Sequence, residues 1–123
     1  MKHASILVLS AALGLAAPGL ALAAACVRPT APAAIDGASA TLDQLRAAKT
    51  GVTDFMTASD TYQGCLVDDL AAQRAAAKAA KTNLDPAVAK AVETRINENQ
   101  ADKEKVGAAF NAAVKAFRTA HPS

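Results

Sequence analysis

Thr82-Asn83-Leu84-Asp85-Pro86 separates two helical patterns, and the fold follows from reading it as a break. Asn83 suits a left-handed residue that ends a helix. Asp85 is a good N-cap, and Pro86 fits the first helical position, where its missing N–H would have had no partner. Downstream, Val88, Val92, Ile96, Val106, Phe110, Val114 and Phe117 fall within roughly 80° of one another on a helical wheel. This spacing predicts a helix from Pro86 to about Ala120. Asn99 and Lys103 occupy the same stripe, inside the polar run RINENQADKEK at 95–105. That run reads as a solvent-exposed stretch, the alternative being a polar layer that sets register between helices.

Upstream of the break, Thr41-x-x-Gln44 is a capping box, with Asp43 favourable in the first turn. The helix it opens should reach about Lys81. Leu42, Leu45, Val52, Met56, Leu66, Val67 and Leu70 share one face, with Phe55 and Tyr62 on its flank. Its last part, Ala71 to Lys81, is alanine-rich and carries Arg74, Lys78 and Lys81, a helix end that needs little packing. No stretch alternates with period two. The fold class is therefore all-α: two long antiparallel helices, about 40–81 and 86–120, forming an αα-hairpin within a single domain.

The chain has 123 residues, with 13 basic and 11 acidic side chains. A balance so near neutral names no nucleic-acid or polyanion partner. Aromatic residues are 3% and Trp is absent, which removes the usual stacking platforms and large interface anchors. Hydrophobic content is 52%, but alanine and the apolar N-terminus supply most of it.

Residues 1–23, MKHASILVLSAALGLAAPGLALA, have the form of a cleaved signal peptide. Lys2 gives the positive start, Ile6 to Ala17 the apolar stretch, and Pro18-Gly19 the break before the small-x-small site Ala21-Leu22-Ala23. Ala23-Ala24-Ala25 offers a second site, after residue 25. The apolar run before Pro18 is short for a membrane span. The chain is thus expected to be exported across an inner membrane and to be periplasmic or secreted. Ala24-Ala25-Cys26 also partly fits a bacterial lipoprotein signal, the alternative in which Cys26 is lipidated and anchors the protein.

Residues 24–39 read as an extended arm containing Pro29, Pro32 and Gly37, ahead of a helical domain over 40–123. In an exported protein two cysteines most simply pair. Cys65 lies roughly 37 Å into the first helix, and the arm from Cys26 to Ser39 spans roughly 43 Å in polyproline form. The arm is therefore long enough to run back along the helix and form a Cys26–Cys65 disulfide. Gly64 would allow the arm close to the bridge, and Tyr62 would pack beneath it. Two free thiols or a redox pair are the alternatives, although no Cys-x-x-Cys is present.

No catalytic, cofactor-binding or metal-binding set emerges. His3 leaves with the leader, and His121 is third from the end, so no Ser-His-Asp or Cys-His system can be assembled. The carboxylate pairs Asp68-Asp69 and Glu98/Asp102 read as solvated faces, the second with salt bridges from Arg95, Lys103 and Lys105. Aspartates 54, 60, 68 and 69 sit where a membrane-surface helix would want cations.

Cys26-Val27-Arg28-Pro29, Asp36-Gly37, Ala40-Thr41 and Tyr62-Gln63-Gly64-Cys65-Leu66 together carry a resemblance. The mature chain resembles small exported helical proteins of Gram-negative bacteria in which a Cys-x-x-Pro arm precedes a helix bearing Tyr-x-x-Cys. The resemblance implies a periplasmic, disulfide-bonded protein and lends no catalytic residue. The expected function is non-enzymatic: protein–protein interaction or a structural role, with an unknown protein or a second copy in a weak homodimer as partner. No small-molecule substrate is indicated, and a membrane is involved only if Cys26 is lipidated. A small extracytoplasmic chaperone or stress-response factor is the alternative, without the Leu-Thr-x-x-Gln signature common in such chaperones. Helix one has an apolar arc wider than helix two can cover, which leaves a flank around Leu42 and Val67 for another surface.

Overall fold

A computed structural model describes residues 25–123, so the leader expected over 1–23 lies outside them. Two helices, α1 (Leu42–Ala79) and α2 (Pro86–Ala120), pack against each other, and no strand occurs among the described residues. Gln63 meets Asn99 while Asp60 meets Lys103, so the pairing numbers move in opposite directions and the hairpin is antiparallel. At 38 and 35 residues, the helices are about 57 and 52 Å long.

Each end is fixed by local chemistry. Gln44 N–H donates to Thr41 Oγ1 at 3.2 Å, and Thr41 N–H donates to Gln44 Oε1 at 2.8 Å, completing the predicted capping box. Asp85 accepts from Ala87 N–H at 2.9 Å ahead of Pro86. At the far end of α1 the expectation for Asn83 is corrected: the left-handed residue is Lys81, with φ of 54°. Thr82 N–H reaches back to the Ala77 carbonyl, and Lys81 N–H to that of Lys78. This is the paired closure of a Schellman motif. The alanine-rich helix ends at Ala79, six residues before the Asp85 cap, and a lysine takes the conformation that glycine usually fills.

The core is narrow. Phe55, Tyr62 and Leu66 of α1 are buried with Val92, Val106 and Ala113 of α2. The centre of the α1 face is therefore shifted from the predicted stripe: Phe55 and Tyr62, placed on the flank by the wheel, are central, while Leu42 and Val67 are 49% and 54% exposed. The N-terminal arm begins over Tyr62, with Cys26 packed against the Tyr62–Leu66–Val92 cluster.

The middle of the hairpin holds a larger correction. Asn99 is fully buried, as is Ser59, where the sequence favoured exposure. Asn99 Nδ2 donates to Ser59 Oγ at 3.2 Å, and its Oδ1 accepts from Gln63 Nε2 at 2.9 Å. Both partners lie on α1, at positions an apolar wheel ignores. Their hydrogen bonds remove the cost of burying an amide. Among the described residues no buried side-chain polar atom lacks a partner.

Candidate functional site

The distinctive part of the molecule is the arm, which has neither helix nor strand over residues 25–36 and is fastened to both helices. Cys26 is bonded to Cys65, with Cα atoms 5.7 Å apart, and Cys26 packs against the Tyr62–Leu66–Val92 cluster. Arg95 of α2 joins the fastening. Its Nε donates to Tyr62 Oη at 3.1 Å and its Nη2 to the Cys26 carbonyl at 3.3 Å, with the guanidinium 5.6 Å from the Tyr62 ring centroid. Tyr62 is thus beneath the arm, as its spacing from Cys65 suggested.

Two residues on, Arg28 reaches across to α2. Its Nη1 donates to Glu98 at 3.0 Å, while Nε and Nη2 both donate to Asp102, at 3.2 and 2.6 Å. The hydrogen bond to Asp102, together with the charges of Asp102 and Glu98, raises the Arg28 pKa above its ordinary value against an opposing effect of burial. The predicted cations for this carboxylate pair are corrected accordingly. Arg95 serves Tyr62 and the arm, Lys103 pairs with Asp60, and Lys105 makes no ion pair among the described residues. The spacing on α2 gave no sign that the partner would come from a residue 70 positions away.

The downstream fastening is a corner built on Asp36. Its carboxylate accepts from Ala38 N–H at 3.0 Å and Ser39 Oγ at 2.8 Å, and its carbonyl accepts from Ala40 N–H at 3.0 Å. Just beyond, Gly37 is pressed onto α2: a Cβ there would lie 1.8 Å from the Ala113 carbonyl oxygen. The close-approach glycine is thus Gly37. The role expected of Gly64 is corrected, because nothing lies within 4 Å of a Cβ placed on it. From Cys26 opposite Arg95 to Gly37 opposite Ala113, the arm runs parallel to α2 and antiparallel to α1.

Between the two fastenings the arm crosses over a cleft of about 270 Å³. Residues 31–35 roof it, Ala48 and Val52 form the α1 wall, and Val106, Ala109 and Phe110 form the α2 wall. Asp102 and Lys105 stand at its rim. A second groove, near the hairpin turn, is lined by Val67, Leu70, Pro86, Val92 and Ile96, with no residue of the arm in its lining.

The remaining singled-out residues stay apart. Asp69 accepts from Gln73 one turn along α1. The His121 ring stacks on Phe117 with centroids 4.3 Å apart, and its Nδ1 sits 3.0 Å from the Phe117 carbonyl, closing the end of α2. Among the described residues no three His, Cys, Asp or Glu gather as a metal ion would require. No helix among them is long and apolar enough to cross a membrane. No family model, curated protein or solved structure matches the chain.

Proposed function

We propose that the protein is exported and non-enzymatic, and that it works by presenting its hairpin to a protein partner in the cell envelope. The observation that carries this reading is the Cys26–Cys65 bridge. A bridge that secures an arm by its first residues is useful where thiols stay oxidised, which agrees with the signal-like residues 1–23. The same bridge weighs against the lipoprotein alternative, since a lipidated Cys26 sulfur could not also bond Cys65. The partner-facing surface is the groove of Val67, Leu70 and Ile96, which no arm residue lines.

Intact mass of the native protein, with envelope fractionation, tests the reading. The expected result is a periplasmic or secreted species starting after Ala23 or Ala25, two hydrogens lighter than its reduced form. Cytoplasmic retention, or a lipid-modified Cys26, would overturn it. A photo-crosslinker at Val67 should then give one discrete adduct in envelope extract. Suppression of unfolded-client aggregation at stoichiometric concentration would favour the chaperone alternative instead.

A further inference from the structure

We propose that the roofed cleft between the arm and the two helices is a binding site for a small amphipathic carboxylate, an aliphatic chain of about six to eight carbons with one negative charge. Three observations converge on this class. The first is enclosure. The roof, residues 31–35, is held on both sides: upstream by the Cys26 disulfide and the Arg28 ion pairs, downstream by the Asp36 corner and Gly37. It cannot sag into the groove. Its three alanines are too small to fill the space below, and the cleft stays open where an unfastened arm would collapse onto Val52 and Val106.

The second observation is size and lining. The volume of about 270 Å³ equals roughly nine water-sized shares of liquid, about 30 Å³ each, which is room for a ligand of about eight to ten heavy atoms. The walls are aliphatic apart from Phe110, and offer an alkyl chain contact on three sides.

The third is charge. Two ionic side chains stand at the rim, and they are not equivalent. Asp102 is answered by Arg28, which donates to its Oδ2 from two nitrogens. Lys105 has no ion-pair partner among the described residues and keeps its positive charge available at the mouth. An apolar bed with one unanswered ammonium at its edge selects an anion with a greasy tail. It disfavours an amine, whose charge would meet Lys105 and find Asp102 already engaged.

A chemical-shift titration of the purified oxidised protein tests this, with sodium octanoate as the probe, octylamine as its charge-reversed match and octanol as its neutral one. Octanoate should saturate, shifting amides of 31–35 and of Val52, Val106 and Phe110. Its affinity should exceed that of octylamine and octanol by at least about tenfold, the equivalent of one ion pair in a partly enclosed site. Lys105→Gln should remove that margin and leave octanoate bound no better than octanol. Ala109→Leu should fill the cleft and abolish saturation. Ala48→Leu, from the opposite wall, gives the same reading should the first variant not fold. The proposal is overturned by any of three results: no saturation up to about 10 mM, a limit weaker than any specific site of this size; octylamine binding as well as octanoate; or shifts centred on the Val67–Ile96 groove.

Discussion

Breaking the Cys26–Cys65 bridge should lower the stability of the fold by about 4 kcal/mol at 25 °C. The two cysteines are 39 positions apart, and closing a loop of that size removes about 13 cal/mol/K from the unfolded chain on the chain-entropy model. A folded chain of about 100 residues unfolds with an entropy of about 210 cal/mol/K, so the melting temperature should fall by roughly 20 °C. Scanning calorimetry of the oxidised protein, the reduced protein and a Cys26→Ala/Cys65→Ala variant measures this. The reduced protein matters because it keeps every side-chain heavy atom and isolates the cross-link from the packing of Cys26 against the Tyr62–Leu66–Val92 cluster. Urea denaturation should also show a steeper dependence once the bridge is gone, because the freed chain exposes more surface. A melting shift below about 5 °C with an unchanged urea slope would refute the reasoning. So would two alkylatable thiols in untreated protein.

The two glycines near the arm should respond with opposite signs. Gly37→Ala must push the arm off the Ala113 carbonyl and should destabilise by about 3 kcal/mol, whereas Gly64→Ala, with open space around it, should stabilise by about 1 kcal/mol; urea midpoints that move in the same direction would contradict the geometry. Asn99→Ala strips Ser59 and Gln63 of a buried partner and should cost about 3 kcal/mol by urea denaturation; a loss under about 0.5 kcal/mol would mean that Asn99 faces water. Lys81→Gly relieves a left-handed lysine and should add about 0.5–1 kcal/mol after the entropy of a freer unfolded chain is deducted, seen as a higher urea midpoint with unchanged slope.

The hairpin was legible because its signals are local. A capping box, an Asp-Pro start and two apolar stripes each act within a few residues, and each boundary falls within two positions of its reading. The arm and its bridge were legible for a different reason: two cysteines and one extended segment leave few ways to connect. What escaped depends on partners across the fold. Asn99 looked exposed because an amide on a stripe is buried only when another helix supplies matching groups, and Ser59 and Gln63 have no apolar signature. Arg28 carries no local sign of its contacts with Glu98 and Asp102, because spacing within one helix is silent about a residue some 70 positions away. Gly64 stands beside Cys65 in sequence, but the contact that needs a missing side chain forms at Gly37, where the arm turns into α1. The cleft had no sequence signal at all. It exists because the roof is fastened at two ends, and no single segment encodes that.

The arm also sets a gauge. Between Cys26 and Gly37 it travels from the level of Arg95 to that of Ala113, about 27 Å of α2. A third helix would need about 18 residues for that run; the arm makes it in about 11 steps, about two more than a fully drawn polyproline chain would take. Surface connections ordinarily accept inserted residues at little cost, because slack bulges into solvent. Here both ends are spoken for, the first by a covalent bond and the second by contact with a carbonyl. One residue added or removed between Arg28 and Asp36 displaces the downstream end by about 3 Å. Gly37 would then be lifted from Ala113, and every intervening side chain would face a new direction. The segment that most resembles a linker in composition is thus held to a register at both ends.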